Sequence, residues 1–203
     1  MKLFLLLGSM LAATLMAAPQ PMAVNRALSA NEGHQADFVQ KFLPKGFTKE
    51  RVERGTVVFG SAPRMRWSYR MPEKKEFVFD GSTSWLYAPA DRQVTVATLG
   101  DKEKKSLPWV LLSDPASLGR EYIVRETRRG DEVETVLDPR SADALVRDLT
   151  VVTGASDGRI REISYADRQG NRTTFEFTGY KPIPTGKEMF TFEAPAGVEV
   201  VRN

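Results

Sequence analysis

The chain has no cysteine among its 203 residues and a single histidine, His34. The first absence excludes disulfides, thiolate metal sites, a cysteine nucleophile and a lipidated N-terminal cysteine. The second makes any zinc site or Ser-His-Asp triad depend on His34, and no nucleophile motif surrounds it. His34 therefore reads as a surface or strand-edge residue. A membrane-spanning run is missing as well, because Leu3 to Met16 is too short to cross a bilayer comfortably. Charge of one sign is scarce: the net charge is +3, and acids and bases interleave in Glu50-Arg51-Val52-Glu53-Arg54. That pattern is a solvated face, not a phosphate track, so nucleic acid is not an expected partner. The carboxylates Asp80, Asp91 and Glu121 fall in turns or on polar faces. None forms a pair in a shared apolar setting that would tune its acidity, which argues against an enzyme.

What the chain does have begins with a targeting signal. Lys2 supplies the charged end, Leu3 to Met16 the apolar centre, and Ala17-Ala18 small residues for cleavage. Pro19-Gln20-Pro21 follows in place of a basic stop-transfer cluster. Residues 1–18 are expected to be a cleaved secretory signal, and residues 19–203 a single domain exported to the periplasm. Without cysteine, that domain folds independently of redox enzymes in an oxidising compartment.

Alternation dominates the rest. Met65, Trp67, Tyr69 and Met71 fall on one face of a strand; Arg64, Arg66, Ser68 and Arg70 fall on the other. Phe77 and Phe79 lead into Asp80-Gly81, a hairpin signal, and Trp85 and Tyr87 return from it. Val94 and Val96 alternate after the next turn, and further short runs continue to Phe190 and Phe192. Two short helices are expected, one over Ala23 to Ala30 and one starting near Pro108. Ten or eleven short strands between glycine turns predict an antiparallel sheet that curls into a barrel or half-barrel, or a sandwich. The residues alone leave these open. An ordinary packed core fits the large side chains as well as a lined cavity does.

The ordered set Pro63, Met65-Arg66-Trp67, Pro72, Phe77-Val78-Phe79-Asp80-Gly81, Trp85-Leu86-Tyr87 and Gln93-Val94 resembles the periplasmic outer-membrane lipoprotein carrier family, the LolA-like proteins. Later pieces match in order: Pro108 with Leu111-Leu112, Leu137-Asp138-Pro139, Asp157-Gly158, and Phe190-Thr191-Phe192 with Pro195-Ala196-Gly197-Val198. The resemblance implies a mainly β fold, an unclosed antiparallel half-barrel with a short helical lid. It also implies a monomer with no cofactor, whose cavity receives the acyl chains of lipoprotein cargo. The carrier would take that cargo from an inner-membrane ABC transporter and pass it to an outer-membrane receptor. On this resemblance Met65, Trp67, Tyr69, Phe77, Phe79, Trp85, Tyr87, Val94 and Val96 line the cavity. Val24, Leu28, Leu111 and Leu112 belong to the lid. Family members often carry an arginine just before the proline, latching the lid; here Ala62 stands there. Arg64 and Arg66 are the nearby substitutes, for lid or partner contact, although alternation turns Arg66 away from the apolar face. A periplasmic lipid- or peptide-sensing adaptor, or a carrier of another acylated lipid, is the alternative.

Overall fold

The structure, a computed structural model, describes residues 22–100 and 112–202. The expected signal, the helix near Pro108 and the lid residue Leu111 lie outside the described residues.

A ten-residue helix, α1 (Met22–Asn31), opens the described chain. It buries Val24, Ala27 and Asn31, spaced so that they share one stripe. Gly33, at φ +70°, then turns the chain into the sheet, a conformation that costs glycine little. The strands follow: β1 (His34–Leu43), β2 (Arg51–Phe59), β3 (Met65–Met71), β4 (Lys75–Phe79), β5 (Thr83–Ala88) and β6 (Gln93–Thr98). A second helix, α2 (Pro115–Glu121), precedes β7 (Tyr122–Arg129), β8 (Glu132–Pro139), β9 (Val146–Gly154), β10 (Ile160–Asp167) and β11 (Arg172–Pro182). A 3-10 turn (Lys187–Phe190) and β12 (Glu199–Arg202) complete the chain.

All twelve strands belong to one sheet, in the order β12-β6-β5-β4-β3-β2-β1-β11-β10-β9-β8-β7. Its two edge strands do not pair with each other, so the barrel is unclosed, as expected. The sheet nonetheless curls hard. Trp67 on β3 and Phe175 on β11 are three strand spacings apart, about 14 Å across a flat sheet. Their ring centroids lie 5.1 Å apart. Phe38 on β1 fills the space between them, 4.9 Å from Trp67 and 6.3 Å from Phe175.

One glycine permits this closure. Phe38 and Tyr69 stand directly opposite Gly55 from either side. Their rings meet edge to face across it at 4.9 Å. A Cβ on Gly55 would lie 2.9 Å from Phe38 Cε1 and 2.1 Å from the Ser68 carbonyl oxygen.

Four details differ from the sequence expectation, the first being twelve strands where ten or eleven are expected. Ser113-Asp114-Pro115 reads as the turn after a helix but starts one instead. Asp114 caps α2 by accepting a hydrogen bond from Ser117 N at 3.0 Å, and proline suits the first helical turn. Phe190 and Phe192 lie in and after the 3-10 turn, not in a closing strand. The final strand, β12, runs parallel to β6, so one edge of an otherwise antiparallel sheet is parallel.

Gly55→Ala is expected to destabilise the protein by at least about 2 kcal/mol, because the added methyl meets backbone and a packed ring. Urea unfolding would measure it; a change under about 0.5 kcal/mol, the size of an ordinary surface substitution, would contradict the close approach.

Candidate functional site

Register decides which aromatic residues face inward. Directly paired residues share a face of the sheet. Trp67 pairs with Val57 and Phe77, and Met65 with Phe59 and Phe79. These, with Tyr69, Ala36, Phe38, Phe175, Phe177, Ile163, Val151, Leu149 and Leu137, form the interior apolar cluster. Met65, Trp67, Tyr69, Phe77 and Phe79 therefore lie on the concave face.

The other four expected lining residues do not. Trp85 pairs with Val78, and Val78 sits between Phe77 and Phe79 on β4, so it points the opposite way. Val96 pairs with Trp85, and Val94 with Tyr87. Trp85, Tyr87, Val94 and Val96 are thus corrected to the convex face. There Val94 and Val96 are buried, and Trp85 and Tyr87 half-buried. The chain leaving β11 must cross that face to reach β6, and it brings a cover with it. The Phe192 ring lies tilted against Tyr87 at 5.4 Å, and Phe190 is 2% exposed. Gly60 admits the Phe190 ring, since a Cβ there would lie 2.6 Å from it.

Helix α1 and Leu112, the expected lid, lie over the concave face. Val24 and Leu112 are buried in the interior cluster, and Leu28 is half-buried. Between lid and sheet is a void of about 50 Å³. Leu28, Leu112, Phe59, Met65, Trp67 and Phe177 supply much of its wall. Ala27, Asn31, Ile160 and Ile163 also border it, and these four, with Phe59 and Phe177, were not among the expected residues. Their signal was the alternation of Phe175 with Phe177 and of Ile163 with Tyr165, which marks strands without saying which face meets the lid. A larger hollow of about 710 Å³ lies elsewhere, beside Arg120, Arg140 and Arg168. It is open, with a polar rim, and shares only Tyr122 with the apolar cluster.

The two arginines near Ala62 take different parts. Arg64 borders the void, hydrogen-bonds Ser61 and lies over the Phe190 ring at 5.8 Å. Arg66 points to the convex face, as alternation implied. It pairs with Glu76 and donates to the Met189 carbonyl at 3.3 Å, holding the C-terminal cover. Ala62 also borders the void and brings no latch. The lid is instead held from its other side. Ala23 N donates to Glu126 Oε1 at 2.9 Å, Arg26 to the Ala155 carbonyl at 2.8 Å, and Ile160 N to Asn31 Oδ1 at 3.4 Å.

Polar groups rim the apolar interior. Tyr69 donates its phenol proton to Gln40 Oε1 at 2.8 Å, under Lys75 Nζ 4.3 Å from its ring centroid. Lys75 in turn pairs with Glu53 at 2.6 Å. Burial, with the Glu53 charge adding, holds the Tyr69 phenol well above its ordinary range. Burial does the same to Tyr180, whose phenol donates to the Ile160 carbonyl at 2.7 Å. Tyr122 is pushed up to about 12 by burial and, second, by Glu121.

The sequence model of the outer membrane lipoprotein carrier protein LolA matches residues 29–193. The chain belongs to the LolA family. An outer-membrane lipoprotein carrier protein of Aliivibrio fischeri (strain ATCC 700601 / ES114) is 33% identical over 202 residues, 98% of each chain. One from Chromohalobacter salexigens is 30% identical over 203 residues, 98% of this chain and 95% of its own. Among solved structures, an uncharacterized conserved protein from Thermus thermophilus shares the fold. Its TM-score is 0.57 at 14% identity, covering 90% of this chain and 98% of that one. LolA membership accords with the unclosed barrel and lid described above.

Two outcomes follow from this geometry. Phe190→Ala should cost about 3 kcal/mol in urea unfolding, as for a buried ring, yet leave binding of a fluorescent fatty acid within about twofold. A large loss of probe binding would mean that the convex face belongs to the site. Tyr122 is neutral when folded, so its contribution is complete below the ordinary phenol range near about 10. It is lost as pH rises toward its folded value of about 12. Tyr122→Phe should therefore flatten the alkaline fall in stability over that window, and an unchanged slope would contradict the burial effect.

Proposed function

We propose that this chain is a periplasmic carrier that shelters the acyl chains of lipoproteins between its concave sheet and its helical lid. It would receive them from an inner-membrane ABC transporter and deliver them to an outer-membrane receptor or acceptor. Residues 1–18 would direct export and be removed, leaving residues 19–203 as one domain that acts as a monomer. The process makes and breaks no covalent bond.

One observation carries this reading. A continuous apolar face is roofed by a separate helix, and the void between them is only about 50 Å³. That is the liquid volume of one or two waters, far less than an acyl chain needs. A lid over so small a void is a closed state, and loading requires the lid to lift. The exchange is favourable for hydrocarbon, since each methylene taken out of water contributes ~0.8 kcal/mol. The relatives' names, outer-membrane lipoprotein carrier protein, support the same cargo. Met65, Trp67, Tyr69, Phe77 and Phe79, with Phe59, Ile163, Phe175 and Phe177, are the proposed cavity residues. Leu28 and Leu112 are the lid residues that face them. Trp85, Tyr87, Val94 and Val96 have a structural part beneath the C-terminal cover.

Gently purified mature protein is expected to yield acylated lipid by mass spectrometry of an organic extract. Leu28→Glu is the sharper test, because Leu28 is half-buried and a charge there reaches water when the lid is shut. It should leave the circular dichroism of the sheet intact. A carboxylate facing the hydrocarbon should weaken a fluorescent lipid analogue at least about tenfold. Unchanged affinity in the folded variant would remove the space under α1 from the binding site.

A further inference from the structure

The β9–β10 turn, residues 154–159, is where lid and sheet are joined. It is rigidly built. Gly154 N donates to the Arg159 carbonyl and Gly158 N to the Gly154 carbonyl, both at 2.8 Å. Asp157 Oδ1 accepts from Arg159 N at 3.0 Å. Helix α1 rests on this turn. Arg26 donates to the carbonyls of Ala155 and Ser156. Gly158, at φ +69°, lacks a side chain where one would press on the helix, since a Cβ would lie 3.0 Å from Arg26 Cγ and 3.2 Å from Ala30 Cβ.

The one histidine reaches the same turn from β1. His34 Nδ1 lies 3.0 Å from the Glu32 carbonyl oxygen, which can only accept, so Nδ1 carries the hydrogen. His34 Nε2 lies 3.2 Å from Arg159 Nη2, which can only donate, so Nε2 offers its lone pair. Both contacts together require the neutral ring in one tautomer. Arg159 also lies over the Tyr180 ring at 5.2 Å. The neutral imidazole and the phenol ring thus fix the guanidinium of the residue that ends the lid's seat.

We propose that neutral His34, acting through Arg159, positions the turn that seats the lid helix, and that protonating His34 loosens this seat and favours opening. A proton on Nε2 removes the acceptor and sets a second cation against the guanidinium. The charged groups around the pair do not relieve this. Arg161 adds positive charge beside Tyr180, and Lys181 on β11 pairs with Gln35 on the opposite face. Glu32 meets His34 through its backbone carbonyl, and its side chain is exposed. Asp157 is already committed, accepting from Arg159 N and pairing with Arg161 at 2.7 Å. Desolvation acts to raise its carboxyl, but these hydrogen bonds outweigh it and hold it below the usual carboxylate range. Asp157 therefore stays ionised through mild acid, and Tyr180 stays neutral. His34 is a positioning residue and touches no cargo. That opening exposes a cargo site rests on the carrier reading; the opening itself does not.

The absence of native cysteine allows a direct measurement. Ala27, on the buried face of α1, is 2% exposed, so an Ala27→Cys thiol reacts only when the lid opens. Its reaction with 4,4'-dithiodipyridine, normalised to a short cysteine peptide, is followed at about pH 7.5 and about pH 5.5, which brackets the usual imidazole range. The normalised rate is expected to rise at least about fivefold in acid, a shift in the open population. The rise should vanish when His34→Gln or Arg159→Gln is added, with circular dichroism melts confirming that each variant is folded. A rate that does not rise in the Ala27→Cys protein overturns the proposal, and so does an acid rise that persists in either folded variant. The His34-containing protein supplies the first criterion even if both added variants misfold. Failure of the carrier reading looks different: no lipid analogue binds at either pH, whatever the thiol does.

Discussion

The fold depends on a clasp of rings across a curled sheet. Trp67 and Phe175 come from strands that a flat sheet would hold three spacings apart, yet their rings touch, with Phe38 between them. Burying these rings favours curling, because each adds both apolar area and edge-to-face contact. The backbone must allow it, and Gly55 does so by leaving out the one side chain that would stand between Phe38 and Tyr69. The concavity that gives a lid something to cover is thus set by three rings and one missing methyl. Nearby, Phe59 repeats the arrangement, with its ring 6.1 Å from Phe177 and 6.4 Å from Tyr180.

A curled sheet has a convex face that must also be covered. Strands β4 and β5 carry apolar side chains on both faces, and β6 adds Val94 and Val96 to the convex one, which a solvated outer surface would not tolerate. The segment after β11 covers the second face with Phe190 and Phe192 and ends as a parallel strand. Arg66 ties that cover to the sheet through Glu76 and the Met189 carbonyl. The aromatic richness of residues 65–87 therefore serves two compartments. One is the candidate cargo space; the other is a permanent core.

Much of this was legible in the chain. Strand alternation located Met65, Trp67 and Tyr69 on one face, and the ordered motifs matched a family that implied an unclosed barrel. The face of Trp85 was not legible. Each strand shows its own alternation, but which of its two faces turns inward depends on the residue-by-residue pairing through the Asp80-Gly81 hairpin. Shifting that pairing by one residue exchanges all the faces. Val78 and Leu86 are as apolar as their neighbours, so composition could not choose. Helix α2 was hidden because Asp114-Pro115 reads equally as a turn or as a cap followed by a first helical residue. The parallel strand was hidden because its four residues, Glu199–Arg202, carry no pattern that distinguishes parallel from antiparallel partners. The lid's seat was hidden too: Arg26 and the turn at Ala155 are separated by 129 residues, and main-chain carbonyls leave no mark in a sequence.

The lid is attached unequally, and that inequality has a direction. On the β7, β9 and β10 side, α1 is held by hydrogen bonds that it donates to Glu126 and the Ala155 carbonyl and accepts from Ile160 N, which weaken steeply once donor and acceptor lose alignment. On the side of Phe59, Pro63 and Met65, the helix and Leu112 offer mainly aliphatic surface across the void. Apolar contact is non-directional, and its strength follows the area removed from water. Methyl groups of Leu28 and Leu112 lose little when one hydrocarbon neighbour replaces another. On the carrier reading, a lid with one directional edge and one exchangeable edge would hinge at the first and open at the second. An arginine before Pro63 would add a directional contact to the second edge, whereas Ala62 leaves it free. The grip that keeps α1 in register belongs to the far side, on the turn that Gly158 lets it approach.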